Sequence, residues 1–131
     1  MTTIRAYTTI EQSRKLAKIL PIESADMYYD RGGLPSLIDK YVTHESIKND
    51  KYHHLIPCWS LAALYGILPN NEKESTTLSR GGWNIEPIKY LDNWWCEYED
   101  ESHTKDFTVS ADTPIDACVD MIEKLHEFKM L

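Results

Sequence analysis

The residues best equipped for chemistry lie between positions 44 and 60, where His53 and His54 precede Cys58 and His44 stands upstream. A thiolate at a helix N-terminus with a histidine as base can act as a nucleophile, or the same groups can ligate a metal. The spacing matches no zinc pattern. A buried cysteine beside solvated loop histidines accounts for the same residues, because nucleophile and base are recognised by spatial arrangement, which spacing alone does not give. One reading is therefore a small enzyme, or a ligand- or metal-binding protein, that uses Cys58 with His53 or His54.

A second cluster is Trp95, Glu97, Glu99, Asp100 and Glu101. A tryptophan among carboxylates is an amphipathic anchor ringed by negative charge, suited to a basic or mixed-charge protein partner. The plainer alternative packs Trp95 under a helix and leaves the acids to solvate a turn and protect a sheet edge. Calcium would need an Asp-rich loop with its glycine, which the chain lacks. Gly32-Gly33 and Gly81-Gly82 are turn glycines without the Gly-Lys-Ser/Thr of a phosphate loop, and no hydrolase, metalloprotease or kinase motif is present. The sequence gives no reason to expect a cofactor.

These clusters need elements to hold them. Ile56 to Pro69 is an uncharged run bracketed by prolines, with Leu61, Leu64, Tyr65 and Leu68 at helical spacing. Pro57 suits a first helical turn, so the run predicts a central buried helix, with Gly66 marking close packing or an early fray. The C-terminal helix has Thr113 as cap, Pro114 at its first position and a stripe of Ile115, Cys118, Val119, Ile122 and Leu125. Asn93 to Glu99 alternates Trp94, Cys96 and Tyr98 with Trp95, Glu97 and Glu99, and Lys105 to Ala111 alternates Phe107, Val109 and Ala111 with polar residues. Period two in both runs predicts a hairpin turning at Asp100 to His103. Trp83 to Tyr90 is strand-like but broken by Pro87.

The first helix starts at Thr8 or Thr9, since Thr8 with Glu11 and Thr9 with Gln12 both fit a capping box, and Pro21 ends it. Ala25 to Tyr29 reads as a short strand and Asp30 to Gly33 as a turn. Leu37, Ile38, Tyr41 and Val42 suggest a short helix over 34 to 43, and the polar segment Glu45 to Tyr52 suggests an exposed loop.

The 131 residues fit one domain, with 42% apolar and 11% aromatic residues, enough to bury a core unaided. Cys58, Cys96 and Cys118 cannot all pair, which suggests reduced thiols in a cytosol. No signal-peptide pattern opens the chain, and its longest apolar run of 14 positions is shorter than the roughly 20 residues a membrane crossing needs. Residues 1 to 83 hold ten Lys or Arg against nine Asp or Glu; residues 84 to 131 hold four against twelve. The C-terminal third thus carries −8 of the net −7, and this balance disfavours direct nucleic-acid binding, which depends on cationic side chains.

The chain resembles a family of small uncharacterised proteins of gut bacteria and their phages and mobile elements. The resemblance rests on Tyr7 to Ser13, Leu20 to Met27, Ile56 to Leu64, Pro114 to Val119 and Met121-Ile122. It implies a phage or prophage protein in a bacterial cytoplasm, and it carries no activity or catalytic residue. The sequence thus leads to one α+β domain, a small antiparallel sheet packed against a buried central helix and a C-terminal helix. The function expected is a non-enzymatic protein-interaction module, with the Cys58 enzyme and a structural homo-oligomer as alternatives.

Overall fold

A computed structural model of the chain describes residues 6–51, 54–68, 88–99 and 106–129. Its elements run in the order α1 (Ile10–Ala17), a 3-10 turn (Ile22–Ser24), β1 (Met27–Tyr29), β2 (Pro35–Leu37), α2 (His44–Lys48), β3 (Ile56–Cys58), α3 (Leu61–Ile67), β4 (Ile88–Tyr90), β5 (Asn93–Glu99), β6 (Asp106–Ala111) and α4 (Pro114–Glu127). The strands form two antiparallel three-stranded sheets, ordered β2-β1-β3 and β4-β5-β6. The fold is α+β, as its patterning requires.

The strongest sequence signals give the best-matched elements. Thr113 caps α4 by accepting from the Asp116 N–H, with Pro114 in the first turn where its missing donor costs nothing. Ile115, Cys118, Ile122 and Leu125 are fully buried, and Val119 is nearly so. The helix packs on β5 and β6 and also touches α3 and α1, so it is the seam of the core. The β5–β6 register pairs Trp94 with Ala111, Cys96 with Val109 and Tyr98 with Phe107, the same apolar set that period-two alternation places on one face. Of the run from Trp83, residues 88 to 90 form β4; residues 83 to 87 lie outside the described residues.

At the N-terminus Thr9, rather than Thr8, caps α1. Its hydroxyl accepts from the Gln12 N–H at 3.1 Å while the Gln12 side chain accepts from the Thr9 N–H at 3.0 Å. The helix ends at Ala17, three residues before the position that Pro21 would hold out of helical geometry. Asp30 to Gly33 does turn: the Asp30 carboxylate accepts from the Gly32 and Leu34 N–H groups, and Gly33 has φ 78°, open to a residue without Cβ.

Three expectations are corrected. Residues 34 to 43 form no helix; they give β2 and a loop, and the supposed apolar face is split, with Leu37 66% and Tyr41 78% exposed, Val42 half-buried and Ile38 packed against the core. Glu45 to Tyr52 is not all loop, because Thr43 and Ser46 build a capping box that starts α2, and Ile47 buries beneath it. The central helix starts later than Pro57. Residues 56 to 58 pair with β1 as an edge strand, where a proline is tolerated, and Ser60 caps α3 by accepting from the Ala63 N–H. Helix α3 docks through Leu64, and Leu68 just past its end is fully buried too, while Ala62 and Gly66 face outward. A Cβ at Gly66 would meet nothing within 4 Å, so the early end of the helix at Ile67, not close packing, accompanies that glycine.

Among the described residues no helix is long and apolar enough to cross a membrane.

Candidate functional site

The hairpin divides its aromatic residues between two faces. On the inner face Cys96 is fully buried and Trp94 packs against the core that α4 organises. On the outer face Trp95 is 37% exposed, and Glu97, Thr108 and Ser110 are exposed as well. Register sets Trp95 opposite Ser110 and Glu97 opposite Thr108, so these four side chains form one patch. Trp95 therefore does not pack under the terminal helix. One step further along, Glu99 and Asp106 are register partners, two acidic residues opposite each other where a sheet gains nothing from like charge. Asp100 and Glu101 lie outside the described residues.

Cys58 itself is placed differently from what nucleophilic catalysis needs. Cys58 ends β3 and is fully buried, two residues before the α3 cap. Its Sγ accepts from Thr8 Oγ1 at 3.5 Å and points its proton toward the Thr8 carbonyl oxygen at 3.6 Å. Burial pushes the thiol pKa up; hydrogen bonds from Thr8 and Ser13 pull against it, and the negative charge of Asp26 adds to the rise. A reactive cysteine requires the opposite, an exposed thiolate in a positive environment. His54 Nδ1 lies 2.6 Å from Arg31 Nη2 and must accept there, because a guanidinium only donates. His44 Nε2 lies 2.7 Å from the Ala25 carbonyl oxygen and must donate. His53 lies outside the described residues. Among the described residues no three His, Cys, Asp or Glu side chains gather to hold a metal ion.

Around Cys58 the structure reveals a polar clasp that spacing alone does not announce. Among the described residues Thr8 and Ser13 are the fully buried polar ones, and their hydroxyls lie 2.7 Å apart. Thr8 Oγ1 also accepts from the Trp59 N–H at 3.2 Å, the Thr8 N–H donates to the Trp59 carbonyl oxygen, and Tyr29 donates its hydroxyl proton to the Thr8 carbonyl oxygen at 2.7 Å. Asp26 accepts from both the N–H and the hydroxyl of Ser60, at 2.9 and 2.5 Å. Trp59 Nε1 donates to Ser24 Oγ at 2.9 Å, which in turn donates to the Pro21 carbonyl oxygen. The network joins residues 6–13, 21–29 and 58–63. Ser60 is committed on both sides, as donor to Asp26 and acceptor at the helix cap, so it is a splice between segments. The one sequence clue was the paired threonines, of which only one could cap the helix.

Elsewhere the acidic surface continues on α4. Asp120 has its carboxyl pKa raised, first by partial burial, then by the charges of Glu123 and Asp116, with Lys15 of α1 opposing. Gln12 donates to Asp116 at 2.7 Å and ties α1 to the start of α4.

No protein-family model, curated protein or solved structure matches this chain.

Proposed function

We propose that the chain is a non-enzymatic protein-interaction module that engages a basic partner through the outer face and tip of the β5–β6 hairpin. The supporting observation is Trp95, held in a regular strand on the face away from α4, 37% exposed and beside the exposed Glu97. A large aromatic on a rigid strand provides contact area at small entropic cost, and the acidic surround steers a cationic surface while repelling nucleic acid. The acidic pair Glu99 and Asp106 adds to that field at the hairpin's far end. The setting proposed with it is the bacterial cytoplasm of a phage or mobile-element host, with host or defence machinery as the target.

The test is affinity capture from lysate of such a host, comparing wild type with Trp95→Ala and with the charge reversal Glu99→Lys/Asp100→Lys/Glu101→Lys. A partner of this face is lost with both variants and is released as salt rises from about 0.1 to 1 M, where screening length falls from about 10 to 3 Å. A partner set unchanged by either variant sinks the proposal.

A further inference from the structure

The two faces of the β4-β5-β6 sheet are finished differently. On the inner face α4 packs against β5 and β6, where Trp94, Cys96, Val109 and Ala111 meet its apolar stripe. The outer face is built in rows by the strand registers. Tyr90 stands opposite Asn93, Trp95 lies between Ile88 and Ser110, Glu97 faces Thr108, and Glu99 faces Asp106. Apolar positions therefore end with the row of Trp95, and the rows beyond it are polar or acidic. The exposed Asp92 and Asp112 mark the opposite end of the face, so Trp95 has carboxylates on both sides. Lys89 is the one cation within the three strands, and its register with Trp94 puts it on the inner side. No lysine or arginine of these strands answers the acids of the outer face.

Resting on the reading of this face as a protein-binding surface, we infer that its occupant is a basic amphipathic helix of the partner. Laid along β5, that helix completes a helix–sheet–helix sandwich whose other helix is α4. A sheet face, unlike a sheet edge, offers side chains and no free backbone groups, so whatever covers it must already satisfy its own N–H and C=O groups. An α-helix does this within one segment. A second sheet would also do so, but sheets pack through broad apolar faces, and this one turns acidic past Trp95. Same-side rows of a strand recur about every 6.8 Å and turns of a helix about every 5.4 Å, so successive turns of one helix reach successive rows. Charge complementarity then sets the helix's pattern. Apolar side chains lie over the row of Trp95, and lysine or arginine on the next turns meets Glu97 and the Glu99–Asp106 row. A second copy of this chain, at −7, brings no such surplus of cations, and nucleic acid is repelled by the same carboxylates.

Fluorescence anisotropy with labelled synthetic peptides and the purified chain tests it. The probe is an alanine-based peptide of about 18 residues, long enough to be helical alone. It carries leucine at its seventh and tenth positions and lysine at its third, fourteenth and seventeenth, all on one helical face. The probe is expected to bind saturably at about 0.05 M salt and to weaken as salt rises. Trp95→Ala and Glu97→Lys are each expected to weaken it about tenfold or more. Both residues are exposed, and circular dichroism establishes that each variant is folded. Two control peptides, one with the lysines moved to the opposite helical face and one with proline as its ninth residue, are expected to bind about tenfold or more weakly than the probe. Equal binding by either control, with Trp95→Ala still weakening all three, overturns the helix and leaves the basic-partner reading standing. Binding indifferent to both variants, or no saturable binding up to about 1 mM, overturns the helix as well. The basic-partner reading falls on a different result, a captured partner set unchanged by Trp95→Ala and by the charge reversal, so the two failures are distinguishable.

Discussion

Asp26 holds Ser60 twice, accepting from its backbone N–H at 2.9 Å and from its hydroxyl at 2.5 Å, so that a carboxylate just before β1 stands behind the cap of α3. Without it the cap serine loses its orientation and the Ser60 N–H loses its acceptor. Asp26→Ala is expected to lower stability by about 1.5–3 kcal/mol, the range for hydrogen bonds to a charged group. Urea unfolding followed by tryptophan fluorescence measures it, and an unchanged midpoint would show the contact to be dispensable.

Two leucines separate the core from its surroundings. Leu64 is fully buried on α3, and Leu64→Ala should cost about 2–5 kcal/mol through lost burial and the cavity left behind. Leu37, at 66% exposure, should cost less than about 0.5 kcal/mol when replaced by alanine. Equal effects at the two sites would contradict the placement of Leu37 outside the core.

Cys58 should be inert and should also couple stability to alkaline pH. Its folded-state pKa is raised, so between the unfolded value, about 8.5, and the higher folded value the folded chain binds the extra proton. The contribution is therefore complete at neutral pH and is lost as pH rises through that window. Denaturation midpoints between pH 7 and 10 should fall less steeply in Cys58→Ala than in wild type. Iodoacetamide should leave the folded chain unlabelled at Cys58 from pH 5 to 8; labelling there would reopen the nucleophile reading.

Leu91 joins β4 to β5 with φ at 59°, a conformation that costs an ordinary side chain about 1–2 kcal/mol, and it lies 78% exposed, where its bulk gains little. Asparagine tolerates that region better, so Leu91→Asn should raise stability by up to about 1 kcal/mol without changing the sheet. A loss of stability would mean that the leucine makes a contact worth more than the backbone cost.

What the sequence disclosed depended on how many independent signals agreed. For α4, cap, proline and apolar stripe coincided, and for β5–β6 two runs of period two fixed both strands and their shared face. Residues 34 to 48 misled because Leu37, Ile38, Tyr41 and Val42 have helical spacing, yet Leu37 and Tyr41 lie in solvent while Ile38 packs on the core, and the Thr43–Ser46 box that starts a helix is masked by polar neighbours. Pro57 was ambiguous in the same way, since a proline fits a first helical turn and an edge strand equally, and only the pairing of Tyr28 with Pro57 decides between them. At the candidate site, alternation placed Trp95 and Glu97 outward, but the clasp around Thr8 joins residues about 50 positions apart and leaves no local pattern.

That clasp has a consequence for how the chain comes to be folded. Residues 6 to 8 close against Tyr29 and residues 58 to 61, and Gln12 of α1 reaches Asp116 of α4. The N-terminal segment must therefore wait for residues 58 to 61, and α1 for α4, since contacts so distant along the chain bear the cost of closing a long loop first. The first helix is made early in the order of synthesis and gains its seat on α4 last, so a nascent chain halted before α4 should keep the clasp but leave α1, α3 and the inner face of the hairpin uncovered, and be the form most exposed to proteases.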